Sequence, residues 1–155
     1  MEPNFAENLI KGKIAETVFQ EMFVSQGEFD ILPIGYEYKT PEVAENLAML
    51  KNKELIANLR HTPDFLMFSK DKRDAFLVEV KFRSHKDDEQ ILEMASKVHQ
   101  NYGPSYLFLA THGNFYFESC KKIMEDKFID VLPETWIPKP IQEKYLLILN
   151  KFIPR

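Results

Sequence analysis

The chain has 155 residues, 45% of them hydrophobic and 28% charged, which suits one compact water-soluble domain spanning 1–155 with a single core. A lone cysteine, Cys120, excludes an internal disulfide and any multi-cysteine zinc site. The net charge of −4 counts against a constitutive nucleic-acid binder, although a local basic surface can coexist with it. No apolar run is long enough to span a bilayer, and Met1-Glu2-Pro3-Asn4 carries no secretory signal, so an intracellular, cytoplasmic protein with no use of a membrane is expected.

Residues 5–26 read as a helix. Ile10, Ile14, Val18 and Met22 recur every four positions, and Ala15, Phe19 and Phe23 widen the stripe. Gly27 ends it. A strand follows from Phe29 to Tyr38, with Leu32, Ile34, Tyr36 and Tyr38 on one side. Thr40-Pro41-Glu42 is a helix start, and the helix is expected to run to about Asn58. Asp64–Ser69 and Asp74–Phe82 are apolar runs joined by the charged turn Lys70–Arg73, which is a hairpin. Asp87–Tyr102 returns to helical spacing and Gly103-Pro104 stops it. Tyr106–Ala110 is a central strand and Phe115–Glu118 a further one. Residues 132–140 hold three prolines and read as a loop, and Gln142–Phe152 fits a helix or a last strand equally well. The order is helix, strand, helix, strand, strand, helix, strand and an open tail. That is an α/β protein with a mixed sheet flanked by helices.

The hairpin is the informative stretch. Its turn centres between Asp71 and Lys72, so symmetric pairing sets Asp64 opposite Glu79. Opposed Cβ atoms lie roughly 4.5–5.5 Å apart on one face. Lys81 shares that face with Glu79, while Phe76, Val78, Val80 and Phe82 point to the other, buried side. Two facing carboxylates repel, and the cost grows near a core. A divalent cation removes it. Mg²⁺ favours one or two carboxylates, waters and phosphate oxygens, and a nearby ammonium adds charge stabilisation to phosphodiester hydrolysis. The plain alternative is an ordinary surface pair of Glu79 and Lys81.

These residues resemble the PD-(D/E)xK nuclease superfamily. Pro63-Asp64 is followed by fourteen residues and then Glu79-Val80-Lys81. The pattern is most similar to the Holliday-junction-resolvase-like members, which place a metal-associated Glu in the first helix, often after a Gly; here Gly12-Lys13-Ile14-Ala15-Glu16 stands there. Glu16 projects about 20° from Phe23, at the edge of the buried stripe. The resemblance covers about Gly12 to Ala110. It implies a restriction-endonuclease-like fold with an αβ(α)ββαβ core. It also implies Mg²⁺ or Mn²⁺ held by Asp64, Glu79, Glu16 and the Val80 carbonyl, with Lys81 assisting the attacking water. The implied activity is hydrolysis of DNA, and the implied assembly a homodimer.

Arg83, Ser84, His85 and Lys86 follow the motif strand and are candidates for phosphate or substrate contact, as are Gln90 early in the next helix and His61 just before Pro63; a solvated loop is the plainer reading. Met94 occupies the place where recombination nucleases carry a Tyr after such a Gln. His99 and His112 lack ligand-spaced partners. Cys120 has no nucleophile signature, and Trp136 covers the core or serves a partner. Two competing readings remain: a nuclease-fold binding module without catalysis, and the same metal centre acting on RNA.

Overall fold

The computed structural model describes residues 3–34 and 62–155. The expected helix 40–58, the end of the first strand at Tyr36 and Tyr38, and His61 lie outside the described residues. Helix α1 spans Pro3–Val24. Gly27, with φ +71, turns the chain as its position predicts. Strand β1 covers Phe29–Pro33, β2 Phe65–Ser69 and β3 Ala75–Phe82. Helix α2 (Asp88–Asn101) follows, capped by the Asp87 carboxylate, which accepts from the Glu89 and Gln90 amides. Strands β4 (Ser105–Ala110) and β5 (Phe115–Ser119) complete the sheet. Helices α3 (Cys120–Asp126) and α4 (Lys139–Phe152) end the chain.

The sheet order is β1-β2-β3-β4-β5, with only β3 and β4 parallel. This is the mixed sheet flanked by helices that the pattern predicts. The parallel pair requires a crossover, which α2 supplies. Helices α1 and α4 cover one face. There Ala15, Val18, Phe19, Met22 and Phe23 of α1 meet Phe65, Met67, Val78, Val80 and Phe108 of the sheet. Helices α2 and α3 cover the other face through Ile91, Ala95, Val98 and Ile123 against Leu107 and Leu109. Phe19 centres the larger core, with ring centroids 4.9 Å from Phe23, 5.2 Å from Phe65 and 5.0 Å from Phe108.

One expectation changes and two open points close. The outer end of the α1 stripe is not buried: Leu9 and Ile10 are 49% and 60% exposed. A helix of 22 residues is about 33 Å long, whereas a five-residue strand spans about 17 Å, so the first turns overhang the sheet. On β1 the core-facing side chains are Phe29 and Ile31, while Leu32 and Ile34 face outward. The open tail resolves into a helix, with Pro140 in its first turn and Gln142 and Leu149 buried. The loop before it delivers Trp136 into the aromatic core, 5.2 Å from Phe117. Among the described residues no helix is long and apolar enough to cross a membrane.

Candidate metal centre

The register of the β2–β3 hairpin is the expected one. Phe65 pairs with Val78 and Phe68 with Ala75, and one further step sets Asp64 opposite Glu79. The turn is shaped by Lys72 in the left-handed region and by Asp71, whose carboxylate accepts from the Ser69 hydroxyl at 2.6 Å and the Arg73 amide at 3.0 Å. These short bonds fix the turn, and the turn fixes which residues face each other.

Strand β3 continues beyond the start of β2. Its odd-numbered backbone groups are committed to β4: Leu77 N donates to Pro104 O and Arg83 N to Ala110 O, both at 3.0 Å. The even-numbered groups therefore point toward the β2 side, and Val80 lies just past the last paired residue. Its amide donates to Asp64 Oδ2 at 2.8 Å. The residue that would stand opposite Val80 in the same register is Pro63, which has no N–H to offer the Val80 carbonyl. The Pro-Asp pair thus replaces a ladder rung with a carboxylate, and turns one backbone carbonyl toward a notch.

The notch is the floor of a cleft of about 590 Å³. Glu16, Asp64, Glu79, Val80, Lys81, Arg83 and Ser84 line it, together with Lys11, Gly12, Lys13 and Thr62. The three carboxyls come from α1, the start of β2 and the middle of β3. Glu79 and Glu16 retain only 11% and 16% side-chain exposure. Lys81 Nζ lies 3.1 Å from Glu79, and Lys13 Nζ lies 3.3 Å from Glu16.

Crowding and burial shift these acids together. Burial, and next the charge of Asp64, push Glu79 up to about 8 against Lys81. Burial and the Asp64 charge lift Glu16 to about 7, and its carboxyl shares a hydrogen bond with Asp64. Burial also raises Asp64, although the Val80 amide and Lys81 pull it back. Ammonium groups partner two of the acids here, Lys81 at Glu79 and Lys13 at Glu16. Among the described residues, no three His, Cys, Asp or Glu side chains already stand at metal-ligand spacing. The donor set nevertheless fits a hard divalent cation, since it offers carboxylate oxygens and a carbonyl in one confined notch.

Of the candidate substrate residues, Arg83 and Ser84 line this cleft, whereas His85 and Gln90 do not. Gln90 is exposed on α2, whose inner face is taken by Ile91, Ala95 and Val98. Arg83 donates to its neighbour's carbonyl, Phe82 O, at 2.7 Å and approaches Met94 Sδ at 3.7 Å. Lys13 and Thr62 also line the cleft, though neither was expected there from the sequence. Lys13 was findable, because it stands three residues before Glu16 and so shares its helix face. Thr62 required the fold: its hydroxyl lies 3.3 Å from the Tyr102 hydroxyl, forty residues away. Cys120 sits behind the site; burial pushes its thiol up to about 11, the Ser105 hydroxyl opposes this, and the Glu79 charge adds to it. A thiol so placed is a poor nucleophile.

Comparison with protein-family models gives no match, and comparison with curated proteins finds no relative.

Proposed function

We propose that the chain is a divalent-metal-dependent nuclease that hydrolyses phosphodiester bonds in DNA. The observation that carries this reading is the meeting of Glu16, Asp64 and Glu79 with Lys81 in one cleft, at the notch where Pro63 interrupts the hairpin ladder. Three crowded acids whose ionisation burial opposes are a costly arrangement for structure alone. Asp64, Glu79 and the Val80 carbonyl would hold Mg²⁺ or Mn²⁺, with Glu16 completing the set. The ion would polarise the phosphoryl group and lower the cost of generating hydroxide from water.

The chain's own groups divide the remaining work. The Val80 amide holds Asp64 in place. Lys81, still 36% exposed beside Glu79, can orient the attacking water or meet charge on the reacting phosphate. Arg83 reaches the rim of the cleft with no carboxylate partner among the described residues, and is available to a neighbouring phosphate. A homodimer that lengthens the groove, and a site of action inside the cell, belong to the same proposal.

Purified protein is incubated with plasmid, branched and single-stranded DNA in Mg²⁺ or Mn²⁺. Cleavage is expected in metal and not in EDTA, with losses of at least about 100-fold for Lys81→Ala and for Asp64→Asn. Cleavage that survives both substitutions would remove the proposed site. A second reading, a binding module without catalysis, is favoured by the ion pair at Glu79 and the shared hydrogen bond at Glu16, which satisfy the acids without a cation. Calorimetry with Mn²⁺ separates the two: the module binds no metal that Glu79→Gln abolishes.

A further inference from the structure

Strands β3 and β4 run parallel and end together, with Phe82 beside Ala110. In open α/β sheets ligands gather beyond the carboxyl ends of such strands. A second cleft, of about 510 Å³, lies at this end. Ser84, His85 and Lys86 form one wall after β3, Thr111 and His112 another after β4, and Arg155 closes it beyond α4. Ser84 lines both this cleft and the carboxylate cleft, so the two adjoin.

The wall chemistry is one-sided. The chain has 24 acidic and 20 basic residues, yet no Asp or Glu among the described residues lines this cleft. Lys86 is held in place rather than waving in solvent. Its Nζ lies 3.2 Å from Asp88 and over the rings of Tyr116 and Phe128, at 5.5 and 5.9 Å. Asp88 takes part of its charge, but an ammonium has three donors. His112 is also fixed. Asn150 Nδ2 donates to His112 O at 2.9 Å, which sets the amide orientation, so Asn150 Oδ1 must accept from His112 Nδ1 at 3.0 Å. Phe82 packs edge-on against the ring. With Nδ1–H engaged, Nε2 of the neutral ring is an acceptor, and it donates to a phosphate oxygen only when the ring is doubly protonated.

We infer that this second cleft holds the sugar-phosphate backbone of DNA to one side of the bond to be cut. Lys86 and Arg155 contact backbone phosphates, and Ser84 marks the passage to the carboxylate cleft. The inference rests on the DNA-nuclease reading of that site. It resolves the objection of net charge, because the cations that matter are gathered where the strand leaves the acids.

The test is binding of fluorescein-labelled duplex DNA, measured in EDTA at several salt concentrations. The proteins compared are wild type, the double variant Lys86→Gln/Arg155→Gln, and Lys97→Gln on the exposed side of α2 as a control for loss of charge. Both altered side chains in the double variant are surface groups, so the fold survives. We expect the double variant to bind at least about ten-fold more weakly and its log–log salt slope to flatten by about two, with Lys97→Gln unchanged. No binding by wild type, equal binding by the double variant, or the same loss in Lys97→Gln overturns the inference. Binding that depends on the cleft without any metal-dependent cleavage upholds the phosphate contacts of Lys86 and Arg155 and overturns the nuclease reading, and with it the bond to be cut.

Discussion

Replacing Glu79 by glutamine should make the metal-free protein more stable, and only at neutral to alkaline pH. Glu79 is raised from 4.5 to about 8, first by burial and next by the Asp64 charge. A carboxyl raised in the folded state contributes its full stability below its unfolded value and loses it as pH climbs through the folded one. Each pH unit between those values costs the folded protein about 1.4 kcal/mol, so the ceiling at pH 8 is about 4 kcal/mol. Glutamine keeps the shape and removes the charge. It also gives up the 3.1 Å pair with Lys81, which offsets part of the gain. A net stabilisation of about 2 kcal/mol at pH 8, falling to nothing by about pH 4.5, is expected. Urea unfolding followed by circular dichroism in EDTA at pH 5 and pH 8 measures it, with an unchanged m-value as the check on two-state behaviour. The reasoning fails if Glu79→Gln is no more stable at pH 8, or if the difference is the same at both pH values. Mg²⁺ should reverse the order: at a hundred times its Kd it stabilises wild type by about 2.7 kcal/mol and leaves the variant unmoved.

Mn²⁺ affinity should rise steeply from pH 6 to pH 8, by about ten-fold for each proton displaced per pH unit, since Glu16 and Glu79 must ionise to bind; a flat calorimetric profile would contradict this. Asp64→Asn keeps an acceptor for the Val80 amide while Asp64→Ala leaves that amide unpaired, so in denaturant titrations the asparagine variant should be the more stable by about 1–3 kcal/mol. Phe19→Ala should cost about 3–5 kcal/mol in the same assay, because it empties the centre of the aromatic core.

The hairpin was legible in the sequence because its order is local. A six-residue turn segment with Asp71 and Lys72 at its middle fixes the pairing by symmetry, and alternation then assigns the faces. The rim position of Glu16 followed from helical spacing alone. Helix α3 was not legible, since seven residues cannot display a period. Helix α4 was ambiguous, because Leu146, Leu147, Ile148 and Leu149 form a continuous apolar run that fits a strand as well as a helix. The orientation of β1 depends on which residues of β2 it meets, a tertiary fact. Most hidden was the second cleft. Its walls come from residues 84–86, 111–113 and 155, three segments brought together only by the parallel pairing of β3 with β4 and by the seating of α4. His112 looked idle in sequence because its partner, Asn150, lies thirty-eight residues away.

Anomalous diffraction from crystals soaked in Mn²⁺ tests the metal centre most directly. A single strong peak is expected in the notch beside Val80, within coordination distance of Asp64 and Glu79 carboxylate oxygens and the Val80 carbonyl, with Glu16 reaching it directly or through one water. Density that is empty there at saturating Mn²⁺, or a peak held only by groups elsewhere on the chain, would contradict it.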